Sequence, residues 1–324
     1  MKKILLILVG AVVLFVLSSI SYVKFVLPDV GAAPEIVVAK EAINIEHGRY
    51  LANSVALCMD CHGVRDWSLY SGPPIEGTLG RGGEVFNQQM GFPGIYYSKN
   101  ITPFGLKDWT DGEIFRAITS GVSKDGSALF SVMPHPNYGK ADVDDIYDII
   151  AYLRSLEPIE YLPPASVSDF PMNFIINTVP KEPQFSEVPD VSDKIAYGRY
   201  LTNLASCSDC HTQFDKGVYD MDMYLAGGHE FVMPSGIVRP ANLTPDDETG
   251  LGKWTEETFV MRFKMYQDSS YVNPKINEGD FMTMMPWLMY STMKEEDLKA
   301  IYAYLQSLDP ISNRVEKFTL NEVN

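Results

Sequence analysis

Thiols are scarce in this chain. Its 324 residues contain four cysteines, all of them inside two five-residue stretches, CMDCH at Cys58 to His62 and CSDCH at Cys207 to His211. None is left over to carry a lipid. Histidine is almost as rare: there are five, and two of them close those stretches. Positive charge is also short, with 26 Lys and Arg against 42 Asp and Glu, a net charge of -16. That balance argues against nucleic acid as a partner and favours partners with basic docking patches. Apolar residues are not lacking. At 46% of a chain this long, they can fill two cores of ordinary size.

The two cysteine stretches share one geometry. Cysteines three positions apart lie on one side of a helical turn, so both sulfurs can form thioether bonds to the two vinyl groups of one haem. The next residue's imidazole can then ligate the iron, which makes CxxCH the attachment signal for a c-type haem. A zinc site built from two CxxC pairs, a pair of redox dithiols and two structural disulfides are the competing readings. None of these needs a histidine directly after the second cysteine, twice. The expectation is therefore two covalently bound haems, held by Cys58, Cys61 and His62 and by Cys207, Cys210 and His211.

At the N-terminus Lys2 and Lys3 precede an apolar run from Ile4 to Val23, about the ~20 residues a helix needs to cross a bilayer. Lysines at that end hold it in the cytoplasm and send the rest across. A cleaved signal peptide is the rival, with Ser19-Ile20-Ser21 as a passable cleavage site. The run is long for a signal sequence and continues through Phe25 to Leu27, which favours an uncleaved anchor in a bacterial inner membrane. Either way residues 28–324 are expected in the periplasm.

Beyond this segment the chain repeats itself. HGRYLANSVALCMDCHG from His47 matches YGRYLTNLASCSDCHT from Tyr197, with one residue fewer before the second motif. GGEVF at Gly82 answers GGHEF at Gly227, NITP at Asn100 answers NLTP at Asn242, and KDWT at Lys107 answers GKWT at Gly252. IIAYLRSLEPI, ending at Ile159, and IYAYLQSLDPI, ending at Ile311, close the two copies. The expected organisation is a membrane segment over 1–27, a linker over 28–43, a first haem domain over 44–160, a proline-rich linker over 161–190, a second haem domain over 191–312 and a tail over 313–324. Prolines at 163, 164, 171, 180, 183 and 189 exclude a long helix or central strand from the second linker, which should run extended across one domain.

Each copy is mainly helical. A helix near 44–55 leads into the first motif, and TDGE from Thr110 and TMKE from Thr292 have the form of capping boxes. The closing helices put Val143, Ile146, Ile149, Ile150, Leu153 and Leu156, and then Leu298, Ile301, Tyr302, Leu305 and Leu308, on one face for the core. Glycines and prolines between Gly72 and Pro103 predict an irregular loop.

A sixth iron ligand has to come from further along the chain, and 15 methionines outnumber the histidines. Met133 and Met285 each precede a proline. Met133 and Met285, Tyr138 and Tyr290, and Leu156 and Leu308 are all 152 residues apart, so both Met-Pro pairs share the register of the closing helix. Proline after the ligand would stiffen the presenting loop. Met133 and Met285 are therefore the expected axial ligands, with Met282, Met284 and Met289 as neighbours that fill core. His135 could replace Met133 but has no partner at Trp287. His47 faces Tyr197 in the alignment of the copies and His229 faces Glu84, so neither is expected to serve a shared role. Trp109 and Trp254, with Asn100 and Asn242, occupy matched positions and are candidates for packing or for hydrogen bonds to haem propionates. Asp246, Asp247 and Glu248 form an acidic turn, read as solvated loop rather than a calcium site.

The run LAGGHEFVMPSGIVRPANLTPDDETGLGKWTEETF from Leu225, with CSDCH before it and MMPW and IYAYLQSLDP after it, resembles the cytochrome c subunits of membrane-bound alcohol, aldehyde and gluconate dehydrogenases. The resemblance covers most of residues 45–312. It implies a periplasmic, mainly α-helical chain with a class I type cytochrome c domain in each half. By that match Cys58, Cys61, His62 and Met133 hold one haem and Cys207, Cys210, His211 and Met285 the other. Those subunits typically carry three haem motifs, whereas this chain has two.

The expected role is that of a membrane-anchored dihaem cytochrome. It would relay electrons from a dehydrogenase or quinol-oxidising complex towards a terminal oxidase, alone or as a subunit of a respiratory assembly. Iron with Met and His on its two faces has no place for a substrate, so no catalytic residue is assigned. The alternative is a dihaem enzyme such as a peroxidase, with one iron lacking its methionine. A thiosulfate-oxidising cytochrome with a cysteine ligand is excluded by the absence of a spare cysteine.

Overall fold

A computed structural model describes residues 1–38, 43–215, 217–233 and 235–320. Residues 39–42 of the expected first linker and 321–324 of the expected tail lie outside the described residues. The chain begins with α1 (Lys2–Phe25), none of whose residues is buried. At about 1.5 Å per residue it is long enough, and apolar enough, to cross a membrane.

A shared order of elements then occurs twice, with one short helix found only in the first copy and one hairpin only in the second. In the first unit α2 (Ile45–Tyr50) continues as one π-helical stretch, Leu51–Val55, into the attachment helix α3 (Cys58–Cys61). Strands β1 (Val85–Phe86) and β2 (Gly94–Tyr97) follow, then α4 (Pro103–Leu106), α5 (Asp111–Ser120), α6 (His135–Tyr138) and the closing helix α7 (Val143–Ser155). After β3 (Val167–Ser168) and α8 (Met172–Ile175), the second unit runs through α9 (Lys194–Leu204), the attachment helix α10 (Cys207–His211) and the hairpin strands β4 (Phe214–Asp215) and β5 (Val218–Tyr219). Then come β6 (Phe231–Met233), β7 (Gly236–Val238), α11 (Glu256–Lys264), α12 (Trp287–Tyr290), the closing helix α13 (Glu295–Gln306) and β8 (Phe318–Thr319).

The one-residue mismatch between the copies has a structural answer. The first copy absorbs its extra residue as the π-helical stretch, while α9 stays α-helical up to the second motif. A single inserted residue is the usual origin of such a widened turn.

Opening and closing helices cross at a glycine in both units. A Cβ on Gly48 would lie 1.9 Å from the Asp148 carbonyl oxygen, and one on Gly198 1.9 Å from that of Ala300. Only glycine allows α2 to approach α7, and α9 to approach α13, this closely. Against these crossings Ile146, Ile149, Ile150 and Leu153, and Leu298, Ile301 and Leu305, are buried as their spacing predicts. The buried core is continuous from one unit to the other.

Thr110 forms its capping box, accepting from the Glu113 N–H at 3.1 Å while Glu113 Oε2 accepts from the Thr110 N–H at 2.8 Å. The expected box at Thr292 does not form. Turn bonds from Thr292 and Met293 back to Met289 and Tyr290 delay the helix, so α13 starts at Glu295 with Lys294 as its cap residue. The Thr292 hydroxyl instead meets Ser54 Oγ at 2.7 Å, across the two units.

The segment between the units packs over the first. Gln184 N–H bonds the Gly139 carbonyl at 2.7 Å, and Phe185 lies against Phe115 with ring centroids 5.5 Å apart. Its strand β3 extends the β1–β2 pair, as β8 extends β6–β7. Gly94 and Gly236 give these strands matching close approaches: a Cβ on either would lie 2.4 Å from a carbonyl oxygen, of Val167 and of Thr319. The pairing of β3 with β2 and of β8 with β7 is thus the same in both copies. These short sheets also occupy part of the region expected as irregular loop, because the glycine-rich composition conceals strands of two to four residues.

Candidate functional site

The residue before each CxxCH motif turns the chain sharply. Leu57 has φ 55° and Ser206 φ 54°, the left-handed region that side chains other than glycine rarely adopt. This turn ends the preceding helix and starts a separate helical turn that places Cys58 and Cys61, and Cys207 and Cys210, three residues apart on α3 and α10. No disulfide joins the four cysteines, and all are half-buried. As thiols they are pushed by burial up to about 12, which disfavours the thiolate that a redox dithiol needs. Among the described residues no group of three or more His, Cys, Asp or Glu side chains is placed to hold a metal ion.

Both motif histidines are oriented by the backbone. His62 Nδ1 lies 2.6 Å from the Lys99 carbonyl oxygen, and His211 Nδ1 lies 2.7 Å from that of Ala241. A carbonyl can only accept, so Nδ1 carries the proton and Nε2 is the lone-pair nitrogen, which is the arrangement of an imidazole that ligates iron. Burial lowers both histidines from their ordinary value, His211 to about 4, so the rings are neutral near pH 7. The loops that supply these carbonyls are fixed by the paired glycines. Gly82 N–H bonds the His62 carbonyl and Gly227 N–H that of His211, each at 2.7 Å. Both glycines have positive φ, and a Cβ on either would lie 2.5 Å from the loop backbone it faces.

Met133 and Met285 occupy equivalent places. Each is half-buried against the main core and precedes a proline and a one-turn helix, α6 or α12. Met282, in contrast, is buried in a separate small cluster with Met233 and Val238, and Met284 packs on that cluster. The tyrosine five residues after each methionine ties its turn to the end of the opening helix, just ahead of the CxxCH motif. Tyr138 donates to the Ala56 carbonyl at 2.6 Å and Tyr290 to the Ala205 carbonyl at 2.7 Å. Burial raises both phenols well above their ordinary value, so they stay protonated donors. The shared spacing of these tyrosines is visible in the sequence, but the carbonyl each one seeks is not.

Other candidates fall elsewhere. Asn100 spends both amide protons on the carbonyls of Ile159 and Tyr161, and Asn242 spends its own on Ile311 and Thr249. Neither has a proton left for a propionate; their function is to pin the chain after each closing helix. Trp109 and Trp254 are half-buried core residues. His47 and Tyr197 differ in type, and for that reason no common role is expected of them, yet both reach carboxylates. His47 Nδ1 lies 3.0 Å from Asp148 and 3.6 Å from Asp145, and Tyr197 donates to Asp297 at 3.2 Å. His229 packs edge-on against Phe231, with ring centroids 4.6 Å apart. His135 is buried against Gly121, and its Nε2 has no hydrogen-bond partner. Asp246 accepts from the Thr249 N–H and hydroxyl within its own turn.

Known proteins resemble this chain over most of its length. Residues 195–309 match the cytochrome c family model, so this part of the chain carries a cytochrome c domain, a family that implies covalently bound haem c. The chain is 26% identical over 286 residues to the cytochrome c subunit of the quinone-dependent alcohol dehydrogenase of Gluconacetobacter polyoxogenes, covering 82% of this chain and 56% of that one. It is 27% identical over 285 residues to the gluconate 2-dehydrogenase cytochrome c subunit of Pantoea cypripedii, covering 82% and 59%. A diheme cytochrome c-type protein of Cereibacter sphaeroides is 26% identical over 265 residues, covering 78% of this chain and 82% of that one. The chain thus spans little more than half the length of the dehydrogenase subunits it resembles.

Proposed function

We propose that this chain is a dihaem electron-transfer protein. Cys58, Cys61, His62 and Met133 hold one haem c, and Cys207, Cys210, His211 and Met285 hold the other. The matched histidines carry the reading: each has its Nδ1 proton on a backbone carbonyl, 2.6 and 2.7 Å away, which commits Nε2 to the lone pair that iron requires. What the bound haem supplies is one-electron chemistry, with a potential raised by Met and His ligation.

The chain's own residues fix the cofactor and bring the sites together. Tyr138 and Tyr290 brace the methionine turns against the ends of the opening helices, and the core shared by the two units keeps both sites in one body. Helix α1 would restrict this body to the surface of a bacterial inner membrane, with both units in the periplasm. There it takes an electron from a dehydrogenase or quinol-oxidising complex and gives it towards a terminal oxidase. The relatives named as dehydrogenase cytochrome subunits support the donor side of this reading.

Mass spectrometry of the protein made in cells with haem-attachment machinery tests the cofactor assignment. The expected mass is that of the chain plus two haems. Replacing Cys58 and Cys61 with alanine, or Cys207 and Cys210, should each leave one. A single haem on the unaltered chain would overturn the dihaem reading.

A further inference from the structure

Ser71 belongs to the first unit yet bonds the turn that carries Met285 in the second. Its Oγ donates to the Met285 carbonyl at 2.5 Å and lies 3.2 Å from the Trp287 N–H, which also bonds that carbonyl at 2.8 Å. These contacts fall on either side of Pro286. Ser71 is 2% exposed and has φ 67°, where glycine would be at ease. A serine kept in that conformation, with its hydroxyl on another unit's backbone, implies a use for the hydroxyl.

The Ser71 loop is held at both ends. On its own side Arg65 Nη2 donates to the Ser71 carbonyl and Nε to the Gly72 carbonyl, each at 2.8 Å. The same guanidinium lies 3.2 Å from Asp60 inside CMDCH and 4.1 Å over the Trp67 ring. On the far side Tyr70 N–H bonds the Pro274 carbonyl at 2.8 Å, and Ile276 N–H bonds the Ser68 carbonyl at 2.9 Å. Trp67 itself packs on the small cluster that includes Ile276, Met282 and Met284. A continuous chain of contacts therefore runs from the first attachment helix through Asp60, Arg65 and Ser71 to the Met285 carbonyl.

The Met133 carbonyl takes its bond from the His135 N–H at 2.7 Å, as the Met285 carbonyl does from Trp287. The Ser71 bond is an addition to this shared plan. We infer that Ser71 is a positioning residue for the second site: by holding the Met285 carbonyl from the first unit, it sets the direction in which the Met285 sulfur is presented. The inference rests on the proposed role of Met285 as an axial ligand. It makes the ligand field at the second site depend on the packing of the first unit.

The test uses the full-length, detergent-solubilised protein with its haems attached. Two quantities are measured, the sulfur-to-ferric-iron charge-transfer band and the two reduction potentials, in Ser71→Ala, Ser71→Gly and Met285→Ala. Met285→Ala should remove one contribution to the band and lower one potential. Both Ser71 variants should weaken that same contribution and lower that same potential, leaving the other haem unmoved. Glycine relieves the backbone strain, so a matching effect in Ser71→Gly assigns the change to the hydroxyl. If both Ser71 variants keep the band and both potentials while Met285→Ala loses its share, the positioning role is overturned. If Met285→Ala itself changes nothing, the ligand reading beneath it is overturned instead.

Discussion

The Tyr50 hydroxyl in the first unit donates to the Asp297 carboxylate in the second, and accepts from the Lys294 N–H at 3.1 Å. The reciprocal contact is built from the matched residues: Tyr200 in the second unit donates to Asp145 in the first, and accepts from the Asp142 N–H at 3.0 Å. Paired contacts of this kind are the signature of an approximate two-fold relation between two copies of one unit. Each opening helix thus reaches over to the start of the other unit's closing helix. This brings the two cysteine motifs into a single body with one continuous core.

Removing either tyrosine hydroxyl should loosen this joint. Tyr50→Phe and Tyr200→Phe each remove a donor from a buried carboxylate, at a cost of about 1–3 kcal/mol, with Asp297 still holding its Tyr197 bond. Both act on one interface, so the double variant should depart from the sum of the singles. Urea unfolding of the four proteins measures this, and strict additivity with small losses would show that the joint is held by other contacts.

The helix crossings make a second prediction. Gly48→Ala and Gly198→Ala place a methyl 1.9 Å from a carbonyl oxygen, so the helices must separate or shift. Each substitution should cost at least the ~1–3 kcal/mol typical of an overpacked core. Thermal unfolding reads the loss, and an unchanged midpoint would contradict the close approach.

Asp145 gives the chain a pH dependence of known sign. Burial is the main cause that raises its carboxyl above the ordinary range, with the Tyr200 bond opposing, so the folded state holds the proton more tightly than the unfolded chain. Its contribution is therefore most favourable at low pH. It declines as pH rises from the ordinary value of about 3.9 through the raised folded value, and is level above that. Asp145→Asn keeps an acceptor for Tyr200 and cannot ionise. Its stability relative to the parent should improve with pH across that window and then level off. A difference that stays constant with pH would contradict the assignment.

The two candidates for the first site's sixth ligand make opposite predictions. If Met133 binds, Met133→Ala removes one charge-transfer contribution and lowers one potential, while His135→Phe, which keeps the buried ring volume, preserves both. A spectrum altered by His135→Phe and untouched by Met133→Ala would transfer the role to the histidine, whose buried Nε2 has no partner.

Much of this site was legible because its chemistry is local in sequence. CxxCH is one helical turn, and the shared 152-residue offset of Met133 and Met285 marks two turns held in the same frame. The closing helices were legible for the same reason, since their periodicity records one buried face. What was hidden depends on backbone atoms and on the other unit. Asn100 and Asn242 were indistinguishable from ligand-facing amides until their protons were found on the carbonyls of Ile159, Tyr161, Ile311 and on Thr249. His47 and Tyr197 differ chemically, yet both reach carboxylates on their own closing helix, a similarity that a comparison of residue types misses. The Tyr50 and Ser71 contacts span more than 200 residues and leave no pattern in sequence.

A potentiometric titration of the full-length protein, followed by visible absorption, decides between an electron relay and an enzyme. The relay predicts two low-spin haems with distinct positive potentials, both showing the methionine charge-transfer band when oxidised and neither reacting with peroxide. One high-spin haem that takes up peroxide or cyanide would contradict it and identify that site as the centre of an enzyme.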